Sequence, residues 1–132
     1  MVDFLLPLLA FSDWSLFLLR VVFASIFLAH GWPKLKNLKS THESFNAMGF
    51  HPGVLWGTIV AILEPLGGLL ILLGIWTQLF ALLLAIQMLV ATLWKISKKQ
   101  GLVGGYELDL LLVVAGLILA TMGGGVLALN FF

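Results

Sequence analysis

The chain has 132 residues, 61% of them hydrophobic and only 10% charged, and its seven basic and six acidic side chains give a formal net charge of +1. With a mean hydropathy of +1.13 it is neither a disordered chain nor an ordinary soluble domain, which carries about 25% charged residues. The near-zero charge gives no basic field for nucleic acid, and the absence of cysteine excludes disulfides, iron–sulfur clusters and CxxC redox pairs on this chain.

Residues 1–13 hold a short apolar run around Pro7, and the earliest charge is Asp3. Without a basic start or a small-residue cleavage site this reads as a retained interfacial segment rather than a signal peptide. Four long apolar stretches follow, predicting helices over about 14–32, 54–75, 77–97 and 106–130. Each is about long enough to cross a hydrocarbon core of ~30 Å as a helix. The runs are continuous and do not alternate, which argues against strands, and they lack the polar face of a soluble bundle helix. The first connection holds Lys34, Lys36 and Lys39, a capping-box pattern at Ser40-x-x-Glu43, and Gly49, predicting a short amphipathic helix closed by the glycine. The connection between the second and third stretches is tight and uncharged around Trp76; the last holds Lys98, Lys99 and Gly104-Gly105. The expected fold is therefore all-α: one transmembrane domain over 1–132, an integral membrane four-helix bundle with a short amphipathic helix in its first cytoplasmic loop.

Six lysines lie in or beside the first and third loops, while the opposite side has only Asp3 and Asp13. The positive-inside rule places the lysine loops in the cytoplasm and both termini outside it. Trp14 and Trp76 then fall at the outer boundary, and Trp32, Trp56 and Trp94 at the inner one, where amphipathic indoles collect.

Arg20, Glu64, Glu107 and Asp109 interrupt the apolar stretches. Each costs at least ~2.5 kcal/mol at the centre of a membrane helix, so such residues face the bundle interior and pair. Arg20 lies roughly 9 Å below the outer surface at helical rise, and Glu64 and Gln87 lie near the midplane. An Arg20–Glu64 ion pair completed by Gln87 is the expected arrangement, serving either as a small-molecule site or as structural glue. His30, Glu107 and Asp109 are candidates for a second ion-pair or proton-handling group. Positions 107 and 109 are about 200° apart on a helix and cannot both face one partner; the inward one is expected to meet His30 or Lys34. Pro65 and Gly67-Gly68 beside Glu64 suit either a loosened cavity wall or close helix packing. No metal-ligand spacing, catalytic nucleophile or nucleotide fingerprint is present.

Arg20, His30-Gly31-x-x-Lys34-Leu35, Met48-Gly49-Phe50, Glu64-Pro65-Leu66-Gly67-Gly68, Leu73-Gly74-x-x-Thr77, Met88 and Gly104-Gly105-Tyr106-Glu107-Leu108 occur in this order. The ordered set, spanning about residues 16–130, resembles the DoxX family of small bacterial and archaeal four-helix inner-membrane proteins. That resemblance implies kinship with the membrane subunit of an archaeal thiosulfate:quinone oxidoreductase, and with proteins linked to oxidative stress and thiol-redox partners. Many members end in a glycine-rich stretch with an arginine and an aspartate; here Gly124-Gly125-Val126-Leu127-Ala128-Leu129-Asn130 has neither.

Three functions follow as expectations. The first is a redox-associated membrane subunit or partner, more a non-catalytic accessory of an oxidoreductase than an enzyme itself, with a quinone held at Arg20, Glu64 and Gln87. The second is a proton-coupled or small-molecule transporter, and the third a structural anchor of a larger complex. The expected partners are the lipid bilayer of a bacterial or archaeal cytoplasmic membrane and either a redox enzyme or further copies of the chain.

Overall fold

The computed structural model describes residues 5–129; residues 1–4 of the expected interfacial segment, Asp3 among them, and Asn130-Phe131-Phe132 lie outside them. A tight turn of helix, Leu6–Phe11, leads into α1, Ser12–Lys36. It is followed by α2, Leu38–Met48, α3, Gly53–Leu73, α4, Thr77–Ser97, and α5, Glu107–Met122. Four helical segments, built on α1, α3, α4 and α5, are long and apolar enough to cross a membrane. The chain is an all-α, multi-pass membrane bundle, with α2 as the short helix between the first two spans.

The helix ends show where local chemistry departed from expectation. α1 runs through Pro33 to Lys36 instead of stopping at Trp32. Its last carbonyls are satisfied there: the Asn37 amide donates to Pro33, and the Thr41 hydroxyl to Lys34, removing the orphan acceptors of a helix end. α2 is capped by Asn37, whose side-chain oxygen accepts from the Ser40 amide at 3.2 Å, not by Ser40 itself. Only Asn37 breaks the helix between α1 and α2, and asparagine is a strong N-cap. Gly49 closes α2 as expected: at φ 97° it lets the Phe50 amide reach back to the Phe45 carbonyl at 2.9 Å. The last helix stops at Met122 rather than near residue 130, and Gly123, at φ 75°, turns the chain back.

In lipid the apolar effect does not drive helices together, so close packing does. α1 lies against α3 at small residues. A Cβ on Gly31 would fall 2.6 Å from Cβ of Glu64, and one on Gly68 would fall 3.0 Å from the Ala24 carbonyl. α4 and α5 pack the same way, with Gly116 seated on Ala85. α3 runs unbroken through Pro65. Of the two readings of Gly67-Gly68, close packing is the one observed, since Gly67 receives Leu84 and Gly68 receives α1. α2 folds under α3, with its His42 ring nitrogen 2.7 Å from the Thr58 hydroxyl.

The bundle is thus two tight pairs, α1/α3 and α4/α5. They share a core of Phe23, Phe27, Ile71, Leu84, Leu112 and Leu119, but α3 and α4 touch far less than the members of either pair, although only residues 74–76 join them. Trp14, Trp32 and Trp76 are exposed on the outside, and Trp56, also exposed, borders the space beside α3 toward the lysine loops. Trp94 is turned inward, its indole N–H donating to the Met48 carbonyl at 2.9 Å.

Candidate functional site

At the end of the bundle away from the lysine loops, Arg20 is buried with 2% of its surface exposed. Its Nη1 donates to the Gly124 carbonyl at 2.7 Å and its Nη2 to the Leu127 carbonyl at 2.9 Å. These bonds hold the returning segment 123–129 over the α3–α4 turn, where the Leu129 amide donates to the Leu73 carbonyl. The fit requires glycine: a Cβ on Gly124 would meet Thr77 Oγ1 at 3.0 Å, and one on Gly74 would run into Ala128. The expected Arg20–Glu64 pair is therefore not formed. Two carbonyls of the returning segment take up the two terminal nitrogens of the guanidinium fork, while Nε stays buried without a partner.

Toward the lysine loops the two helix pairs part around a cleft of about 1320 Å³. Glu64, 3% exposed, is its innermost charge. Glu64 Oε1 accepts from Lys34 Nζ at 2.5 Å and from Gln87 Nε2 at 2.9 Å. The second carboxylate oxygen, Oε2, and the Gln87 Oε1 are both buried and have no hydrogen-bond partner. A buried acceptor left without a donor costs about 1–3 kcal/mol, more when charged. The Gln87 orientation is fixed chemically, because the reverse would set an amide oxygen against a carboxylate oxygen.

A second ion pair closes the other helix pair. Lys95 Nζ lies 2.6 Å from Asp109 Oδ2 and also reaches the Gly105 carbonyl at 3.3 Å. Asp109 is buried while Glu107 is exposed, the division demanded by their helical spacing. The inward residue meets Lys95, however, and neither His30 nor Lys34. Glu107 accepts only weakly and locally, from the Gly104 amide at 3.4 Å. His30 is exposed and lines the cleft without a pairing carboxylate. Of the predicted residues, Glu64, Gln87, His30 and Asp109 border one cleft; Arg20 and Glu107 do not.

Sequence reasoning counted Lys95 only as a loop lysine, and it expected Lys34 to meet Glu107 or Asp109 rather than Glu64. Lys34 stands on an extra turn of α1, and Lys95 on the last turn of α4. Helical side chains lean toward the N-terminus of their helix, so a lysine at the C-terminal end of a span reaches back into the bundle. That direction was the available signal.

The walls of the cleft are otherwise apolar. Phe27, Phe45, Met48, Met88 and Leu112 face it from the bundle and from α2, and Ile59, Leu83, Ile86 and Val90, all largely exposed or half-buried, rim its side between α3 and α4. The cleft thus combines an apolar lining, open at the side between α3 and α4, with a few polar groups at depth, the make-up of small-molecule pockets in general. Among the described residues no three His, Asp or Glu side chains converge on a metal-sized site.

The DoxX family model matches residues 15–96, which is more than half of the chain and includes Arg20, Lys34, Glu64 and Gln87. The chain belongs to the DoxX family. A similar relative in Bacillus subtilis (strain 168), "Putative oxidoreductase CatD", is 30% identical over 115 residues, covering 87% of this chain and 84% of the relative. No solved structure matches this DoxX protein.

Proposed function

We propose that this DoxX protein is a redox-associated subunit or partner in the cytoplasmic membrane, and that its cleft binds the head group of a quinone at Glu64, Gln87 and Lys34. The observation that carries the reading is a buried, incompletely satisfied polar cluster at the end of an apolar cleft bordering lipid. The oxidoreductase name of the Bacillus subtilis relative supports the redox association. Arg20 leaves the proposed site, since both of its bonds go to the C-terminal segment.

The residues fit such a ligand. Lys34 Nζ, bonded to Glu64 Oε1 and about a third exposed, keeps N–H groups for a ring carbonyl only on its solvent side. Glu64 Oε2 and Gln87 Oε1 are buried acceptors for a ring hydroxyl, and the apolar walls suit the ring and its isoprenoid tail. A bound quinone supplies two-electron, two-proton redox chemistry. The chain supplies position, exclusion of water and hydrogen bonds, and a partner protein supplies or withdraws the electrons. With the lysine loops cytoplasmic and both termini outside, the cleft faces the cytoplasmic half of the membrane.

The test is quinone binding to purified protein, together with a mass spectrum of its lipid extract and of its copurifying proteins. Retained quinone, with binding weakened about tenfold or more in Glu64→Gln, supports the reading. Unchanged affinity in Glu64→Gln removes the site. A cytoplasm-only reporter fused after Phe132 that proves active would reverse the orientation.

One observation favours a second reading. Lys34 and Glu64 join two helices that pack closely at Gly31, so the ion pair also serves as a register clip. If that is its whole role, Lys34→Met combined with Glu64→Leu leaves copurifying partners and quinone content unchanged.

A further inference from the structure

The two partnerless atoms at the head of the cleft are both acceptors. Glu64 Oε2 and Gln87 Oε1 have no donor, while the neighbouring donors, Lys34 Nζ and Gln87 Nε2, are both turned onto the other carboxylate oxygen of Glu64. Lys34 is about a third exposed, so water already meets its remaining N–H groups. What the buried end of the cleft lacks is hydrogen-bond donors.

Resting on the quinone reading above, we propose that the cleft discriminates by redox state and binds the reduced, hydroxyl-bearing quinol in preference to the oxidised quinone. A quinone presents only acceptor oxygens, and set against Glu64 Oε2 or Gln87 Oε1 they oppose lone pair to lone pair. A quinol has two O–H donors. One donated to Glu64 Oε2 forms a hydrogen bond to a charged acceptor in a water-poor setting, the stronger kind, and satisfies an oxygen that is otherwise left without a partner. Gln87 Oε1 is a second acceptor in the same cluster. The surroundings reinforce the choice: Lys34 balances Glu64, and Lys95 balances Asp109, so the site favours a neutral donor over a cation. Glu64 is held in place for the task by two bonds on Oε1 and by the close fit of Gly31 against its Cβ.

The experiment measures anaerobic binding of decylubiquinone, chemically reduced decylubiquinol and the O,O-dimethyl ether of that quinol to the full-length protein in nanodiscs, read by tryptophan fluorescence. Trp56 and Trp94 line the cleft and provide the signal. The expected result is a quinol at least about tenfold tighter than the quinone, with the dimethyl ether no tighter than the quinone. A tenfold preference also raises the midpoint potential of the bound couple by about 30 mV. Gln87→Met and Glu64→Gln should each reduce the quinol-to-quinone ratio, Glu64→Gln nearly to one. If Glu64→Gln does not fold, the ether comparison on the unaltered protein and the Gln87→Met ratio still decide. Quinone binding as tightly as quinol overturns this inference and leaves the quinone site standing. Ether binding as tightly as quinol also overturns it, because shape and not donation would then govern. Failure of all three to bind overturns the quinone site itself, and this preference with it.

Discussion

The two ends of the bundle handle buried charge in opposite ways. At the end away from the lysines, Arg20 is buried against two carbonyls of a segment that folds back over the α3–α4 turn. At the lysine end, two Lys–carboxylate pairs face a large cleft, and Glu64 retains an oxygen with no partner. The closed end turns both terminal guanidinium nitrogens onto backbone carbonyls, seals Arg20 Nε and Thr77 Oγ1 inside without a partner, and becomes a plug. The open end leaves acceptors unspent beside apolar walls, as a site for an amphiphilic ligand requires. Intramembrane charge is therefore not evidence of function by itself; both ends keep buried polar atoms without a partner, and what separates them is whether those atoms border a cavity that something else can enter.

The strongest challenge to this contrast is Arg20→Met. Two bonds from a charged donor are lost and two carbonyls are released, a cost of about 3 kcal/mol. It should appear as a lower midpoint in denaturant unfolding and as new protease cleavage after Met122. Quinone affinity measured on the folded fraction should stay the same, and a specific loss of affinity would return Arg20 to the site. Next in size is Gly31→Ala. Its Cβ would crowd Glu64 and Pro65 at 2.6 Å, and overpacking of this kind costs about 1–3 kcal/mol. Because the strain falls on Glu64, this variant should lose both stability and ligand affinity; intact affinity would show that the Gly31–Glu64 approach has no part in holding the site.

A smaller effect is expected from Trp94→Phe, which removes the bond to the Met48 carbonyl and should cost about 1 kcal/mol. Faster amide exchange at the end of α2, where that bond anchors the floor of the cleft, is the readout. No change there would mean α2 is held by α3 alone. The smallest effect concerns the lysines. Both are about a third exposed, which screens the charge that is lost, and water entering the open cleft in place of each ammonium donates to the carboxylate left behind. Lys34→Met and Lys95→Met should therefore each cost only about 0.5–1 kcal/mol. Their couplings should differ: Lys34→Met with Glu64→Gln should fall short of the sum of the singles, while Arg20→Met with Glu64→Gln should add to within about 0.5 kcal/mol. Strong coupling across the ends would break the division between plug and cleft.

The sequence alone determined the membrane, the number of spans and their type, because lipid admits only helices and closed barrels, and four long apolar runs that do not alternate leave the helix. It also singled out the intramembrane charges, and it divided Glu107 from Asp109 through helical geometry. Tertiary structure decided who pairs with whom. Arg20 met carbonyls more than a hundred residues away because Gly123 turns the chain back, a long-range return that hydropathy does not encode. Lys34 met Glu64 because α1 continues one turn past Trp32, and Lys95 met Asp109 because its side chain leans inward from the end of α4. The cleft is likewise a tertiary product. It exists because small residues draw α1 to α3 and α4 to α5 more tightly than anything draws α3 to α4, and the balance among those contacts appears only when all four helices are in place.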